Sequence, residues 1–375
     1  MKDAGEALLE ITAAVVRGPG DPFTIEGLKL EAPRADEVLV RVVASGMCHT
    51  DLKTRDSPTL PRPIVLGHEG AGVVERIGAD VRKLAVGDHV VLTFMWCGRC
   101  PSCLKGQPAY CEKVMPLCFG GAREDGSTSL HDAAGPVHDH FFGQSSFATY
   151  ALASERNAIK VPRDAPLELL GPLGCGLPTG AGSVINALKV GAGQSLAVFG
   201  AGAVGMAAIM AGKVVGATTI VAVDLVPERL ALALELGATH AVNASDAGLV
   251  DAVRSTTGGR GVDFSLDATG TDKALDPAIR VLAVHGVCGF VGGAPAGARV
   301  AIEPGWLMLG GRSVRGILQG DAVPDQFIPA LIELHRQGRF PFDRLVRVYE
   351  LSEINQAAHD SETGKTIKPV LRMPR

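Results

Sequence analysis

Four cysteines in the first third of the chain have a spacing that suits a single metal ion. Cys97, Cys100 and Cys103 are separated by pairs of residues, and Cys111 follows in the same loop. Four thiolates complete a tetrahedral shell around Zn²⁺ and leave no position for water, which is the arrangement of a structural site. The spacing therefore predicts a zinc ion that cross-links this loop. An iron–sulfur cluster or four metal-free thiols remain the alternatives.

Three more candidate metal ligands lie far apart in the sequence, each beside a glycine or a turn. They are Cys48, His68, which is followed by Glu69 and a glycine, and Cys175, which stands between two glycines. Two thiolates and one imidazole form the ligand set of a catalytic zinc, whose fourth position is open to water or substrate. A single cysteine or histidine is usually an ordinary core or surface residue. The prediction therefore depends on the occurrence of all three together.

A glycine-rich loop in the second half of the chain has the pattern GxGxxG. It runs from Gly200 to Gly205, follows an apolar strand-like run and opens a helical pattern, and Asp224 ends the next apolar run. Gly200 allows a tight turn, Gly202 lets the backbone approach a pyrophosphate, and Gly205 permits close packing of helix on strand. The N–H groups at the helix N-terminus face the phosphates. This context predicts a dinucleotide site, with a glycine-rich turn that binds no nucleotide as the alternative.

The residue that follows the second apolar run indicates which dinucleotide is bound. The carboxylate of Asp224 can accept hydrogen bonds from ribose hydroxyls and would repel a 2′-phosphate, which favours NAD over NADP. Arg229 lies close behind it and could touch the same ribose or serve a 2′-phosphate, which weakens the preference.

Two different element patterns must position these residues. Short runs rich in β-branched residues fill the first third, at 11–16, 37–43, 72–78 and 89–92, and predict a small barrel or sandwich. Beyond about residue 165, apolar strands alternate with helical stretches, which predicts a parallel sheet covered on both faces. We place this second domain at 178–318. A helix at 325–337 and a strand at 367–371 are expected to rejoin the first domain, which then comprises 1–177 and 319–375.

Composition and charge narrow the class of protein. The 375 residues are 46% hydrophobic and 20% charged, with a net charge of −4, and no long run of lysine or arginine predicts a nucleic-acid partner. The N-terminus lacks a secretory signal, and the apolar stretch 196–210 is too short to span a bilayer. We therefore expect a cytoplasmic protein with no membrane partner. Clustering of four of the eight cysteines then indicates metal rather than disulfides.

With its motifs in this order, the chain resembles the zinc-containing alcohol dehydrogenases of the medium-chain dehydrogenase/reductase superfamily over nearly its whole length. Within them, the segments CFGG at 118–121 and FFGQSSFATY at 141–150 make it most similar to aryl-alcohol (benzyl alcohol) dehydrogenases. The resemblance implies an α/β protein with a GroES-like β-rich catalytic domain and a Rossmann doubly wound coenzyme domain. It also implies two zinc ions per chain, NAD, and assembly into homodimers or homotetramers.

The resemblance implies a role for each residue that matches a family motif. Cys48, His68 and Cys175 match the ligands of the catalytic zinc, and the four-cysteine lobe matches the structural zinc site. Glu69 resembles an acid that approaches the metal transiently, and Asp51 matches a carboxylate that orients the zinc-bound histidine.

Other matches concern the substrate and the cofactor. Thr50 matches the hydroxyl that hydrogen-bonds the substrate oxygen. His49 and Lys368 fall where basic residues contact the cofactor pyrophosphate. The resemblance also implies cofactor contacts at Thr179 and Val204.

One position departs from the family pattern. Some members end their proton relay in a histidine three residues after the position of Thr50, where this chain has Lys53. A charged lysine is a poor base at neutral pH unless its pKa falls. We therefore expect the proton to leave through the cofactor ribose directly to water, or through His49.

The predicted reaction is the reversible oxidation of a bulky, apolar primary alcohol, aryl or allylic, to its aldehyde. Zinc acts as a Lewis acid, Thr50 takes the proton, and hydride passes to NAD. Aromatic side chains at family pocket positions could stack on such a substrate, although each could equally be core. These residues are Phe94, Trp96, Phe119, Phe141 and Phe142.

Three alternatives remain at this stage. A glutathione-dependent formaldehyde dehydrogenase shares both zinc sites, but its anionic substrate would require a basic residue at the pocket mouth, for which Arg123 is the candidate. A non-catalytic zinc-binding interaction protein built on the four-cysteine lobe would hold one zinc rather than two. A binding protein that kept the fold and lost catalysis is opposed by the complete ligand set.

Overall fold

The computed structural model describes residues 8–293 and 297–374, which divide into two compact units. The first unit comprises the chain up to Cys175, Val323–Ile332 and the chain from Asp343 onward; the second comprises Gly176–Ala322 and Glu333–Phe342. Within the described residues, no helix is both long and apolar enough to cross a membrane.

The boundary differs from the prediction in the C-terminal tail, where 319–322 and 333–342 belong to the second unit. The guanidinium of Arg339 donates to the carbonyl oxygen of Val214 at 3.1 Å. The rings of His335 and Phe342 lie 4.5 Å apart, and Phe342 is fully buried. The contact between Arg339 and Val214 spans 125 positions, so the local pattern of the tail could not reveal it.

Short β-strands dominate the first unit. They are β1 (Leu9–Val16), β2 (Thr24–Leu30), β3 (Glu37–Gly46), β4 (Ile64–Val65), β5 (Glu69–Ile77), β6 (His89–Leu92), β7 (Leu130–Asp132), β8 (Gly135–Val137), β9 (Tyr150–Ser154) and β10 (Ala158–Val161). One sheet has the order β4-β1-β2-β7-β8, and a second contains β10-β6-β5-β3 with β9 also paired to β3. The strands predicted at 11–16, 37–43, 72–78 and 89–92 are thereby confirmed.

Short helices connect these strands. They are α1 (His49–Asp56), α2 (Pro101–Leu104), α3 (Val114–Phe119), α4 (Leu167–Leu170) and the 3₁₀ turns Pro108–Tyr110, Phe141–Gly143 and Gly171–Gly174.

The second unit is a parallel sheet flanked by helices. Its elements are α5 (Gly176–Gly182), a π-helical turn (Ser183–Ala187), β11 (Ser195–Phe199), α6 (Ala203–Val214), β12 (Thr219–Asp224), α7 (Pro227–Leu236), β13 (His240–Asn243), α8 (Leu249–Ser255), β14 (Val262–Asp267), α9 (Asp272–Arg280), β15 (Leu282–Phe290), α10 (Pro304–Gly310), β16 (Ser313–Gly316) and the 3₁₀ turn Gln319–Asp321. The strand order is β13-β12-β11-β14-β15-β16, and every pairing is parallel. This is the 3-2-1-4-5-6 order of a doubly wound sheet, which confirms the prediction.

The C-terminal tail returns to the first unit at Val323–Ile332 and again from Asp343 onward. It contains α11 (Pro324–Arg336), a 3₁₀ turn (Phe342–Leu345), β17 (Val346–Glu350), a second 3₁₀ turn (Leu351–Glu353), α12 (Ile354–Glu362) and β18 (Lys368–Arg372). Strand β18 pairs antiparallel with the end of β3, so that Val370 faces Gly46. The first residue of β18 is thereby placed beside the segment that follows β3.

A buried charge network joins loops of the first unit to the first residue of β3. Nδ1 of His140 is 2.6 Å from Oδ1 of Asp139, and Nε2 lies 3.4 Å from Oε1 of Glu37. Arg123 donates two hydrogen bonds to Glu37, at 2.7 and 3.0 Å. Burial lowers the pKa of His140, but the carboxylates of Asp139 and Glu37 outweigh it and raise the pKa to about 9.

This network predicts a pH-dependent stability. The pKa of His140 rises from 6.5 to about 9 on folding, so its contribution is complete below pH 6.5 and disappears as the pH passes 9. As the pH rises from 6.5 to 9, the free energy of unfolding of the wild-type protein should fall by about 1–3 kcal/mol more than that of a His140→Asn variant. Asparagine suits the positive φ of 56° at this position. Urea unfolding across this pH range measures the difference, and parallel profiles would contradict the assignment.

Candidate active site

A buried carboxylate at the start of α1 orients the predicted zinc-binding histidine. Oδ2 of Asp51 accepts from the backbone N–H of Cys48 at 2.9 Å, and Oδ1 accepts from that of Gly67 at 3.1 Å. Oδ1 also lies 2.9 Å from Nδ1 of His68. This contact favours the tautomer with hydrogen on Nδ1 and leaves Nε2 able to bind a metal.

The predicted catalytic ligands converge in the first unit. Ligand atoms of Cys48, His68, Glu69 and Cys175 all lie within 4.8 Å of one another. Nε2 of His68 is buried and has no hydrogen-bond partner among the residues that the structure describes. A buried nitrogen without a partner is costly unless it binds something, so this donor set fits a zinc ion.

Glycines allow the backbone to bring Cys175 to this cluster. A Cβ at Gly171 would stand 2.3 Å from the carbonyl oxygen of Glu69, and one at Gly174 would stand 2.1 Å from that of Leu92. The turn before Cys175 therefore packs directly on the backbones of β5 and β6. This close approach explains why glycine precedes the cysteine.

The fourth member of the cluster is held by a buried lysine. Nζ of Lys368 donates to both carboxylate oxygens of Glu69, at 3.0 and 2.9 Å, and to the carbonyl oxygen of Met47 at 3.2 Å. Burial raises the pKa of Glu69 to about 7, although the charge of Lys368 opposes this. All three ammonium hydrogens are thereby used inside the protein. The pyrophosphate contact of Lys368 stays a prediction.

Other residues of the predicted catalytic segment surround the cluster. Oγ1 of Thr50 lies 3.8 Å from Sγ of Cys48, within reach of a molecule bound at the metal position. His49 and Lys53 are exposed on α1. Their predicted roles in cofactor binding and proton release stay predictions.

The four-cysteine lobe is a second possible metal centre. Sulfur atoms of Cys97, Cys100, Cys103 and Cys111 lie within 4.8 Å of one another. Sγ of Cys103 is 3.9 Å from that of Cys97 and 3.4 Å from that of Cys100. Zinc–sulfur bonds of about 2.3 Å in a tetrahedron separate sulfurs by about 3.8 Å, so the spacing fits. All eight cysteines are described, and none forms a disulfide.

The predicted pocket aromatics fall into two groups. Phe94 and Phe141 are core residues, 2% and 0% exposed, whereas Trp96 and Phe119 are half-buried. The ring of Phe142 stacks on the imidazole of His68, with centroids 4.4 Å apart and planes 26° apart. Substrate contact by these five residues stays a prediction.

The glycine-rich loop of the second unit has the geometry that a dinucleotide requires. Gly200 has a φ of +91°, and a Cβ at Gly205 would lie 1.7 Å from the carbonyl oxygen of Gly200. A Cβ at Gly202 would meet no described atom within 4 Å. Packing therefore explains the first and third glycines, while the second leaves open space over the N-terminus of α6, as phosphate binding requires.

The predicted cofactor residues lie around this loop. The carboxylate of Asp224, at the end of β12, accepts from the backbone N–H of Ala201 at 2.6 Å and from that of Val226 at 2.9 Å. It thus fixes the loop and keeps lone pairs for ribose hydroxyls. Arg229 is half-buried on α7.

Two further residues with predicted cofactor contacts lie on helices of the second unit. Val204 is half-buried in the first turn of α6, and Thr179 is 9% exposed on α5. A Cβ at Gly180 would stand 1.9 Å from the carbonyl oxygen of Val204, so the two helices are in close contact there.

Comparison with known proteins identifies the family. Residues 34–163 match the alcohol dehydrogenase GroES-like domain, and residues 203–336 match the zinc-binding dehydrogenase family. The chain is 49% identical over 360 residues to geraniol dehydrogenase of Castellaniella defragrans, covering 96% of each chain. This chain belongs to the zinc-containing alcohol dehydrogenases of the medium-chain dehydrogenase/reductase superfamily.

Solved structures agree with this family assignment. An alcohol dehydrogenase zinc-binding domain protein of Burkholderia ambifaria is 60% identical to this dehydrogenase, with a TM-score of 0.97 over 98% of this chain and 100% of that one. Benzyl alcohol dehydrogenase of Acinetobacter calcoaceticus is 49% identical, with a TM-score of 0.94 over the same shares. The GroES-like and Rossmann domains and the use of zinc and NAD are confirmed.

Two residues that shape the site of this dehydrogenase were not predicted as site residues from the sequence. Gln144 donates to the carbonyl oxygens of His68 and Thr93, at 2.9 and 3.1 Å, and thus fixes two site segments. Asn157 donates to the carbonyl oxygen of Phe142 at 3.2 Å. A single glutamine or asparagine in a loop predicts nothing in particular, so these contacts required the structure.

Proposed function

We propose that this dehydrogenase oxidises a bulky primary allylic or aryl alcohol to its aldehyde with NAD. The observation that carries the chemistry is the cluster formed by Cys48, His68 and Cys175. Within it, Nε2 of His68 is buried and lacks a hydrogen-bond partner among the described residues. The substrate class is supported by two relatives, each 49% identical, that are a geraniol dehydrogenase and a benzyl alcohol dehydrogenase.

Different residues of the chain would bind the metal, transfer the proton and orient the zinc-binding histidine. A zinc ion held by Cys48, His68 and Cys175 would supply a Lewis acid that favours loss of the alcohol proton, and NAD would supply the hydride acceptor. The hydroxyl of Thr50 accepts that proton and passes its own outward. Asp51 keeps the imidazole in one tautomer throughout.

Lys368 keeps the remaining acid at this site from acting as a free base. Its buried ammonium holds both carboxylate oxygens of Glu69. Two charges enclosed together at this distance stabilise each other only while both are present. Glu69 is therefore held by Lys368 rather than used for proton transfer to solvent.

The rival substrate class is disfavoured by the position of Arg123. A glutathione conjugate would require this cation at the substrate, but the Arg123 side chain is 4% exposed and is paired with Glu37 and Glu31. The interaction-protein alternative would use the four-cysteine lobe alone. That alternative does not explain the second set of metal ligands or the dinucleotide loop.

A substrate panel tests the proposal. Geraniol, benzyl alcohol, ethanol and S-hydroxymethylglutathione are each supplied with NAD or NADP, and reduced cofactor is followed by its absorbance. We expect the highest kcat/KM with geraniol or benzyl alcohol and NAD. Turnover only of the glutathione conjugate would overturn the substrate class, and a strong preference for NADP would overturn the role of Asp224.

We also propose that the enzyme is a homo-oligomer. The second unit exposes large apolar side chains on α10, where Met308 and Leu309 are 75% and 84% exposed. Neighbouring apolar residues of this kind are typical of a protein interface. Light scattering during size-exclusion chromatography should give a multiple of the chain mass of 38.9 kDa. A monomer would contradict the proposal.

A further inference from the structure

The segment from His140 to Ser145 has a strained backbone. Three of its residues other than glycine have positive φ angles, which are 56° at His140, 55° at Phe142 and 54° at Ser145. Each such residue is strained and persists only where its surroundings fix it. A phenylalanine in this conformation is rarer than the asparagine or glycine that would adopt it easily. The strain therefore needs an explanation in what the segment holds.

Buried polar side chains fix the segment in this conformation. Asn157 donates to the carbonyl oxygens of Phe142 and Gly143, at 3.2 and 3.1 Å. Oγ of Ser145 accepts from the backbone N–H of Phe141 at 3.0 Å. These side chains are almost completely enclosed, so their hydrogen bonds are strong constraints.

The strained backbone brings two aromatic rings against the imidazole of His68. Phe142 stacks on it almost in parallel, with centroids 4.4 Å apart and planes 26° apart. Phe141 meets it edge-on at 5.5 Å and 85°. Asp51 holds Nδ1 of the same ring. The imidazole is thus restrained in its plane by Asp51 and across its plane by Phe142.

We propose that Phe142 is a positioning residue for the zinc ligand His68, rather than only a wall of the substrate pocket. Its ring prevents the imidazole from tilting out of the plane in which Nε2 points at Cys48 and Cys175. Aromatic contacts of this kind stabilise one relative orientation of the two rings beyond the effect of burial. The inference rests on the proposed assignment of His68 as a ligand of the catalytic zinc.

Release of zinc to a chromogenic chelator tests this role without measuring activity. The variant is Phe142→Leu, and the matched control is Phe119→Leu. Phe119 packs against Phe141 and Phe142, at 5.7 and 5.0 Å, within the same aromatic cluster. We expect one of the two zinc ions to leave Phe142→Leu roughly 2–10-fold faster than wild type, the rate equivalent of the aromatic contact that is lost. The other ion, and both ions of Phe119→Leu, should leave at wild-type rates.

Two more variants separate the ring from the backbone. Phe142→Tyr keeps the stacked ring and should restore slow release, whereas Phe142→Gly suits the positive φ but has no ring and should release zinc quickly. Wild-type release rates from both Phe142→Leu and Phe142→Gly would overturn the proposal. Equal acceleration of both ions would also overturn it, because the effect would then be general loosening of the domain.

His68→Ala distinguishes failure of this inference from failure of the proposed metal site. If His68→Ala retains two zinc ions, the assignment of the ligand itself is wrong. If His68→Ala holds one ion while Phe142→Leu behaves as wild type, the ligand assignment stands and only the role of Phe142 fails.

Discussion

Replacement of His68 by alanine is expected to reduce bound zinc from two ions per chain to one and to lower kcat/KM for the alcohol by about 10³-fold or more. In the proposed site the imidazole is one of three protein ligands, and its Nε2 has no hydrogen-bond partner among the described residues. A metal that polarises the reacting oxygen contributes several kcal/mol to the transition state, and each 1.36 kcal/mol corresponds to about tenfold in rate. Elemental analysis and steady-state kinetics measure the two losses.

An exposed histidine of the same unit provides the control. His359 lies on α12, where its side chain is exposed. His359→Ala should keep two zinc ions and wild-type kinetics. Loss of both ions from His68→Ala would indicate unfolding rather than removal of one ligand. Full activity with two ions retained would refute the assignment of the catalytic site.

The parts of this dehydrogenase that sequence predicted well are those that depend on neighbouring residues. The apolar run before Gly200 and the run that ends at Asp224 indicate two strands, and the structure has β11 and β12 at these positions. The GxGxxG loop carries its own backbone requirement, since a Cβ at position 205 would lie 1.7 Å from the carbonyl oxygen of Gly200. Such features need no knowledge of distant contacts.

Local sequence patterns could not predict contacts between residues that are far apart in the chain. Glu69 and Lys368 are 299 positions apart, and their ion pair exists because β18 returns beside β3. Sequence could assign each residue a family role but not the pairing, which now competes with the predicted pyrophosphate contact of Lys368. The edge strand β16 was likewise missed, because its four residues are largely exposed and polar.

The adjacent phenylalanines show a second limit of sequence. Phe141 and Phe142 are identical in type and were assigned to the same pocket. The positive φ at Phe142 turns one ring flat against His68 while the other meets the same imidazole by its edge. No residue type in the segment predicts that turn, because phenylalanine disfavours it. The tertiary hydrogen bonds of Asn157 decide it.

Replacement of Cys103 by serine is expected to release the structural zinc and open the four-cysteine lobe while the second metal centre stays loaded. The lobe has a small core of its own, in which Cys97, Cys111 and Leu117 are the buried apolar residues of the local cluster. Structural zinc contributes about 10–16 kcal/mol to the folding of small zinc domains, so a lobe with so little core depends on it. Limited proteolysis should cleave the lobe at least about 100-fold faster, because cleavage follows the population of the open form.

The neighbouring Cys118 provides a matched control for the replacement of Cys103. Its thiol is fully buried and contacts the carbonyl oxygen of Met95 at 3.4 Å, but it is outside the four-sulfur group. Cys118→Ser keeps a donor for that carbonyl and should retain two zinc ions and protease resistance. If Cys103→Ser behaves in the same way, packing alone would hold the thiols together and the metal would be dispensable. Iron and sulfide in the wild-type protein would instead indicate an iron–sulfur cluster, because zinc and such a cluster both accept four thiolates. Only a zinc site would be colourless.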